Sequence, residues 1–585
     1  MASRTPIFKR NHGVGGPFDC RSLEMTVPAA HCRQGRLPAW RTVSGSLSRE
    51  NSTQVIIVGG GPVGLALALD LGWRGIACVL LEQGDGVISQ PKMNEVNTRT
   101  MEFCRRWGIV ERVLNCPFPG SFPLDTAFIT SMFGHEIGRV ERLARAHEVP
   151  EPFSPYRLQA CSQFWFDPIL QSAARTFPSV TLRYGTRVER VIQDATGVRV
   201  ETTDVATGTR AHLTADYLIG CDGAASAVRS ALGIAMQGKG TIGFPVHLFF
   251  RAPELLAASG RDPATFFFLI DREGLWGSLR IIDPVNGFWR LMQDRTDGNL
   301  TPERVDREGI LRRALGRPYD VDWKGVNVWH RRSLVAERYG RDRIFLAGDA
   351  VHLLSPTGAL GMNSGIGDAV DLGWKLAAVL NGWGGPHLLA SYDLERRPVG
   401  LRNVGLATNI YLDNEKFGGP GADLESEDAA TVALRRRLGA ELEDVVGREF
   451  RTIGAQLGYR YESSPICIPD GTPAPPDEMG TYLPTARPGS RAPHAWLDDD
   501  RSILDVFGRS FVLLRFPGAP DGASLRAAAA ARGIPYDEAF IDDAETAALY
   551  ERKLVLVRPD GHVAWRGDAI PADPAATIGR AAGWH

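Results

Sequence analysis

Hydrophobic positions along this chain fall into two textures. Val55-Ile56-Ile57-Val58 is a short β-branched run, glycines follow, Leu65 to Leu69 are apolar without a break, and Cys78-Val79-Leu80-Leu81 is a second run. That order predicts a strand–helix–strand unit buried on both faces. In 186–221, Val198 and Val200 alternate with Arg199 and Glu201 between turn signals at 194–197 and 204–208. This predicts a small meander ending in an apolar strand over 217–219. From 242 to 335 the chain is strand-like and aromatic-rich, with runs at 246–251, 266–270, 277–282 and 288–292, and a second, antiparallel sheet is expected. The run 343–347 then returns to the first texture, so the first domain is read as split by the second.

Seven prolines in the 24 residues 465–488 predict a linker. Beyond it come a strand (511–516), an alanine-rich helix (524–532), a strand (539–541), a hairpin (554–558 and 562–566, turned at Pro559-Asp560-Gly561) and a last helix. The expected division is an extension over 1–50, a nucleotide-type domain over 51–240 and 338–405, an inserted sheet domain over 241–337, a helical segment with the linker over 406–484, and a terminal module over 485–585. Residues 1–50 hold eight Lys/Arg, three acids and no sustained period. They read as a disordered extension, with an organelle transit peptide as the alternative.

At 585 residues the chain is long enough for several cores, and 44% hydrophobic with 23% charged residues is ordinary globular composition. A net charge of −2 without any basic block gives no electrostatic support to a nucleic-acid surface. The one long apolar stretch, 55–81, is interrupted by Asp70, Arg74 and glycines, so no membrane span is assigned. Eight scattered cysteines without CxxC or His-paired spacing argue against a metal site and for a reducing, cytoplasmic setting.

The strongest local signal is Gly59-Gly60-Gly61-Pro62-Val63-Gly64, set between strand and helix, with Glu82 ending the next strand. Gly59 permits the tight turn, Gly61 lets backbone N–H groups approach a pyrophosphate, and Gly64 packs helix on strand. Glu82 would accept ribose hydroxyls, which disfavours a 2′-phosphate there. The pattern predicts a dinucleotide.

Two further motifs, 217–229 (YLIGCDGAASAVR) and 343–352 (RIFLAGDAVH), follow the glycine loop in order. Together the three resemble the fingerprint of the single-component FAD-dependent aromatic hydroxylases, the para-hydroxybenzoate hydroxylase type, over 54 to about 400. The resemblance implies that Asp349 binds the ribityl chain of FAD and that 356–363 wraps the isoalloxazine, with Pro356 at its start and Gly361, Met362 and Asn363 near the pyrimidine edge. It also implies that Asp222 belongs to an FAD/NADPH segment, that Gln163 contacts cofactor, and that Lys92 and Arg99 lie near the pyrophosphate. Arg99 can also be read as the solvated face of a helix, His352 as a neighbour of Asp349, and Arg331 and Arg332 as surface charges.

Candidate substrate-pocket residues are His247, Phe249, Phe268, Trp276 and Trp289, although alternation alone leaves their face open. The terminal module resembles the thioredoxin-like domain of the larger phenol and polyketide hydroxylases, and without a cysteine after Cys467 it has no dithiol couple. The fold expected is α/β: a Rossmann-like FAD domain, an inserted antiparallel sheet and a thioredoxin-like end. The implied activity is hydroxylation of a phenolic or polycyclic aromatic by NAD(P)H and dioxygen through a flavin hydroperoxide, with a second copy in a homodimer as the macromolecular partner considered. An oxygen-inserting or epoxidising polyketide enzyme and a non-catalytic flavin-binding protein stay open as alternatives.

Overall fold

The β-branched run forms the strand Ser52–Val58, buried from Val55 onward and parallel to Cys78–Leu81 on one side and Arg210–Gly220 on the other. Val180–Arg183 extends the sheet beyond Cys78–Leu81, and Ile344–Leu346 extends it beyond Arg210–Gly220, both parallel. These coordinates come from a computed structural model, which describes residues 51–585 apart from 143, 148–150, 295, 297 and 498–500. The expected extension over 1–50 lies outside the described residues. Helix Pro62–Trp73 buries every residue from Gly64 to Gly72, as a helix apolar all round must, and packs against helix Gly361–Leu380. The meander is present as Thr186–Gln193, Val198–Asp204 and Arg210–Gly220, the last running on into the parallel sheet.

A second sheet of seven strands runs in the order Asp322–Val328, Val246–Arg251, Phe288–Gln293, Gly274–Asp283, Phe266–Asp271, Thr126–Ile129, Glu136–Val140. Its last two strands come from well before residue 241, which corrects the expected boundary. Thr126–Ile129 joins in parallel, so the sheet is mixed rather than antiparallel throughout. Alternation sorts its faces. Leu248, Phe250, Phe267, Leu269, Leu279, Trp289 and Leu291 form an outer core beneath helix Arg307–Leu315, whereas Phe128, Phe266 and Phe268 pack on the inner side with Leu438 and Leu442 of helix Ala429–Val445.

The terminal module has Phe511–Arg515 parallel to Tyr536–Phe540 and antiparallel to Leu554–Val557, which pairs with Val563–Gly567. With helices Ala523–Ala531, Ala544–Tyr550 and Pro574–Ala581 this is the βαβαββα order of thioredoxin. The middle helix is an addition to the expected order. It is seven residues long and starts where the Asp543 carboxylate accepts from the Thr546 N–H.

The proline-rich stretch is not a free linker. Ile466, Cys467 and Ala486 are buried, Ile468 N–H donates to the Ala564 carbonyl, and Gly489 N–H donates to the Val563 carbonyl. The two ends of the stretch are therefore packed into the fold, while its middle runs along the surface. Trp374, Ala378 and Trp383 from the first unit share one apolar cluster with Phe511, Leu513 and Leu556 of the module.

Candidate functional site

Register places the ends of four parallel strands side by side: Val58 opposite Leu81 and Gly220, and Gly220 opposite Leu346. Gly59, Glu82, Asp222 and Asp349 all follow these ends, at the carboxyl edge where open α/β sheets bind ligands. Gly59 has φ +110°, and a Cβ there would stand 2.3 Å from the Cys221 carbonyl oxygen. A Cβ on Gly64 would stand 2.0 Å from the Gly59 carbonyl oxygen, so both glycines are required by the protein itself. Gly61 differs. Its backbone is extended (φ −74°, ψ 179°), and a Cβ would meet nothing within 4 Å.

Helix Pro62–Trp73 begins at Gly61 and helix Gly361–Leu380 at Leu360, both without a side-chain cap. Two sets of first-turn N–H groups are thus left for another acceptor. Val63 packs against Gly348 and Gly365, which joins the glycine loop to the 348–349 turn. Glu82 braces the loop, its Oε2 accepting from Gly60 N–H at 2.6 Å and its Oε1 from Gly84 N–H at 2.7 Å. The Asp349 side chain opens to solvent, yet the surrounding protein pushes its carboxyl pKa up, against His352 and Lys92, which pull it down. His352 Nε2 itself donates to Asp368 at 2.9 Å, and Asp368 also accepts from Gly348 N–H at 3.1 Å and Arg396 Nε at 2.8 Å. The turn carrying Asp349 is fixed from behind.

Several expected ligands have committed side chains. Gln163 accepts from Lys92 N–H at 2.9 Å and donates to Asp167, which holds the backbone of the Lys92 loop in place. Asp222 accepts from Ser226 Oγ and Val228 N–H. Asn363 accepts from Asn97 N–H and Thr100 Oγ1 and donates to the carbonyls of Glu95 and Ala359. Pro356, Gly361 and Met362 retain solvent access beside it. Arg99 is a correction: it is buried against Glu102 (2.7 Å) and the Asp560 carbonyl (3.2 Å), facing the terminal module rather than the glycine loop or solvent.

The expected pocket residues divide. His247 and Phe249 lie on the inner face of the second sheet, which meets the 353–363 segment, and Phe268 lies on that face further along. Trp276 and Trp289 are on the outer core instead. Strand alternation sets Trp289 opposite to Arg290, and a register shift between Leu269 and Ile270 sends Trp276 outward. Phe288 meets Phe164, the neighbour of Gln163, edge to face at 5.0 Å. His247 Nε2 accepts from Trp329 Nε1 at 3.0 Å, and burial with Arg290 and Arg331 nearby holds its pKa well below the ordinary value, so the ring is neutral.

Arg331 is fully buried, not a surface charge. It binds Asp294, donates to Ser355 Oγ at 2.7 Å and lies 4.2 Å from the Tyr411 ring centre. Arg280 pairs with Glu95 at 2.8 Å. Arg290, beside it, has no hydrogen bond or ion pair among the described residues, and burial with the Arg280 charge pushes its pKa down to about 9. The signal for Arg290 was available in the sequence: a lone cation between Trp289 and Leu291 in an apolar strand marks a polar inner face.

An adenine-dinucleotide crevice abutting an aromatic sheet face defines a flavoprotein oxidoreductase of the hydroxylase type. Residues 52–407 match the family model for the FAD binding domain, and 485–583 match that for the aromatic-ring hydroxylase C-terminal domain. The FAD-dependent monooxygenase apdD of Emericella nidulans is 32% identical, covering 90% of this chain and 89% of its own. The structure of chromopyrrolic acid-soaked RebC with bound 7-carboxy-K252c is 38% identical with a TM-score of 0.85, covering 92% of this chain and all of RebC. The flavin-dependent monooxygenase PieE, in complex with FAD and substrate, is 32% identical with a TM-score of 0.79, over 92% and 98%. The chain belongs to the FAD-dependent aromatic-ring hydroxylases, and it is an FAD-dependent monooxygenase.

Proposed function

We propose that this protein hydroxylates a phenolic or polycyclic aromatic substrate that carries an anionic group, taking electrons from NAD(P)H and oxygen from O2. The observation that carries the reading is the Arg290 guanidinium, without a partner among the described residues, on the aromatic face that Arg331 links, from Met292, to Ser355. The RebC structure with bound 7-carboxy-K252c, a carboxylated ligand, supports the same class.

The residues present fit FAD. Gly61 leaves open space in front of a helix end, two helix N-termini lack caps, and Asp349 presents an accessible carboxylate at the same edge. Glu82 would hold the ribose, the N–H groups of Gly61, Val63 and Gly64 the pyrophosphate, Asp349 the ribityl chain, and the N–H groups of 361–363 the pyrimidine edge. FAD supplies the redox chemistry and oxygen activation. The protein's share is positional and electrostatic. Phe249, Phe288 and Met292 wall the substrate space with apolar surface that excludes water, and Arg290 favours the phenolate or carboxylate form of the ring's substituent. Neutral His247 presents no competing charge.

Asp349→Ala is expected to lose most bound FAD, seen as a fall in the visible absorbance per chain. Unchanged flavin content would remove Asp349 from the site. The functional test is anaerobic bleaching of the holoenzyme by NADPH and by NADH, with and without candidate phenols, followed by aerobic product analysis under 18O2. One labelled oxygen atom in the product is the expected result. Flavin that neither nicotinamide bleaches under any condition would leave a flavin-binding protein without this turnover. The six cysteines among the described residues are free, and no helix among those residues is long and apolar enough to cross a membrane.

A further inference from the structure

Where helix Thr98–Arg106 meets the terminal module there is a cavity of about 140 Å³, walled by Trp73, Arg99, Glu102, Phe103, Arg106 and Phe507. Its rim is the Arg105–Asp505 pair, which is partly solvent-accessible. Positive charge inside it outruns negative. Arg99 shares the single Glu102 carboxylate with Arg491, which grips both oxygens of that carboxylate. Arg74 has Asp70, whose other oxygen accepts from Trp107 Nε1.

Arg106 has no carboxylate among the described residues. Its one hydrogen bond runs from Nη2 to the Asp560 carbonyl at 3.3 Å. The Asp560 side chain is already bound to Arg558. Burial, then repulsion from Arg74 and Arg99, push the Arg106 pKa down to about 10. Among the described residues, two lining arginines carry a buried nitrogen without an acceptor, Arg99 Nε and Arg106 Nη1, as does the neighbouring Arg74 at Nη2.

Buried cations without partners are costly, and two lining arginines with orphaned donors, one of them without any carboxylate, describe a site for an acceptor-rich anion. We propose that this cavity binds a small oxyanion of phosphate size through Arg99 and Arg106, so that the anion fastens the terminal module to the flavin unit. The space takes a free phosphate or the phosphate arm of a nucleotide, not a whole nucleotide. This site is separate from the flavin crevice, so its test does not depend on turnover.

The test is thermal unfolding of the FAD-loaded enzyme titrated with inorganic phosphate, with sodium chloride at matched ionic strength and adenosine 2′,5′-bisphosphate as separate arms. A saturable rise in the midpoint beyond the chloride control is expected for wild type and lost in Arg106→Gln, with Arg106→Lys keeping part of it. In phosphate-free buffer Arg106→Gln should melt no lower than wild type, because an uncompensated charge has been removed. Saturation by inorganic phosphate identifies a free anion, and saturation by the bisphosphate alone identifies a nucleotide arm; either supports the site. Selenate-soaked wild-type crystals provide a check independent of the variants, with an anomalous peak expected within hydrogen-bond reach of Arg106. No response beyond chloride, an equal response in Arg106→Gln, or no peak would overturn the proposal.

Discussion

Gly61→Val is expected to give a folded protein that holds no FAD. Gly61 is extended rather than left-handed, and a Cβ there touches nothing within 4 Å, so the apoprotein accommodates the side chain. The added atoms would stand in the open space ahead of the helix N-terminus, where phosphate must approach the backbone. Circular dichroism should therefore match wild type while flavin absorbance is lost. Gly64→Val provides the contrast. Its Cβ would lie 2.0 Å from the Gly59 carbonyl oxygen, and damage to the fold itself should appear as lower soluble yield. Full flavin content in folded Gly61→Val would refute the placement of the cofactor.

Glu395→Ala is expected to lower stability by about 3–5 kcal/mol, the usual cost of stranding a buried partner charge. Glu395 is buried between Lys375 Nζ (2.6 Å) and Arg558 (2.6 and 2.9 Å), and it also accepts from Ser464 Oγ. Burial opposes its ionisation, but Arg558 and Lys375 prevail and hold its pKa down to about 2; Arg491 and Arg99 do the same, again to about 2, for Glu102. A depressed carboxyl contributes stability that is present above its unfolded value of 4.5 and lost as pH falls from there toward 2. Denaturant unfolding of wild type should thus weaken steeply below pH 4.5, and that slope should shrink in Glu395→Ala. A loss under about 1 kcal/mol, on the scale of a surface pair, would contradict the structure. Deleting 485–585 would take Arg558 from Glu395 and Arg491 from Glu102, leaving each with one cation, and would uncover Trp374 and Trp383, so insoluble protein is expected.

The glycine loop, Glu82 and the central strands were legible because their constraints are local: a β-branched run, a turn, a helix start. The terminal topology followed from the hairpin at Pro559-Asp560-Gly561, and only the short helix Ala544–Tyr550 and the early residues of Tyr536–Phe540 escaped it. What escaped the sequence was tertiary choice. Arg99 faces the module because Glu102, one turn on, is clasped by Arg491, 389 residues away. Trp276 and Trp289 look like ligand-binding aromatics, but the face each takes depends on pleat and register. Arg331 looks like a surface charge until Asp294 and Ser355 close around it. Gln163, Asp222 and Asn363 occupy the expected places, yet their side chains are committed to internal bonds that no motif encodes.

The wide sequence separation of these partners governs how the chain can be made. The crevice needs Ile344–Leu346 beside Arg210–Gly220, so no flavin site exists until residue 349 has left the ribosome. Glu102 then waits for Arg491 across 389 residues, roughly 20–80 s at ordinary elongation rates. Throughout that interval the nascent protein carries a carboxylate meant for burial, joined by the bare Trp374 once helix Gly361–Leu380 is made. Synthesis of the last module supplies the buried partners of Glu102 and Glu395 and covers Trp374.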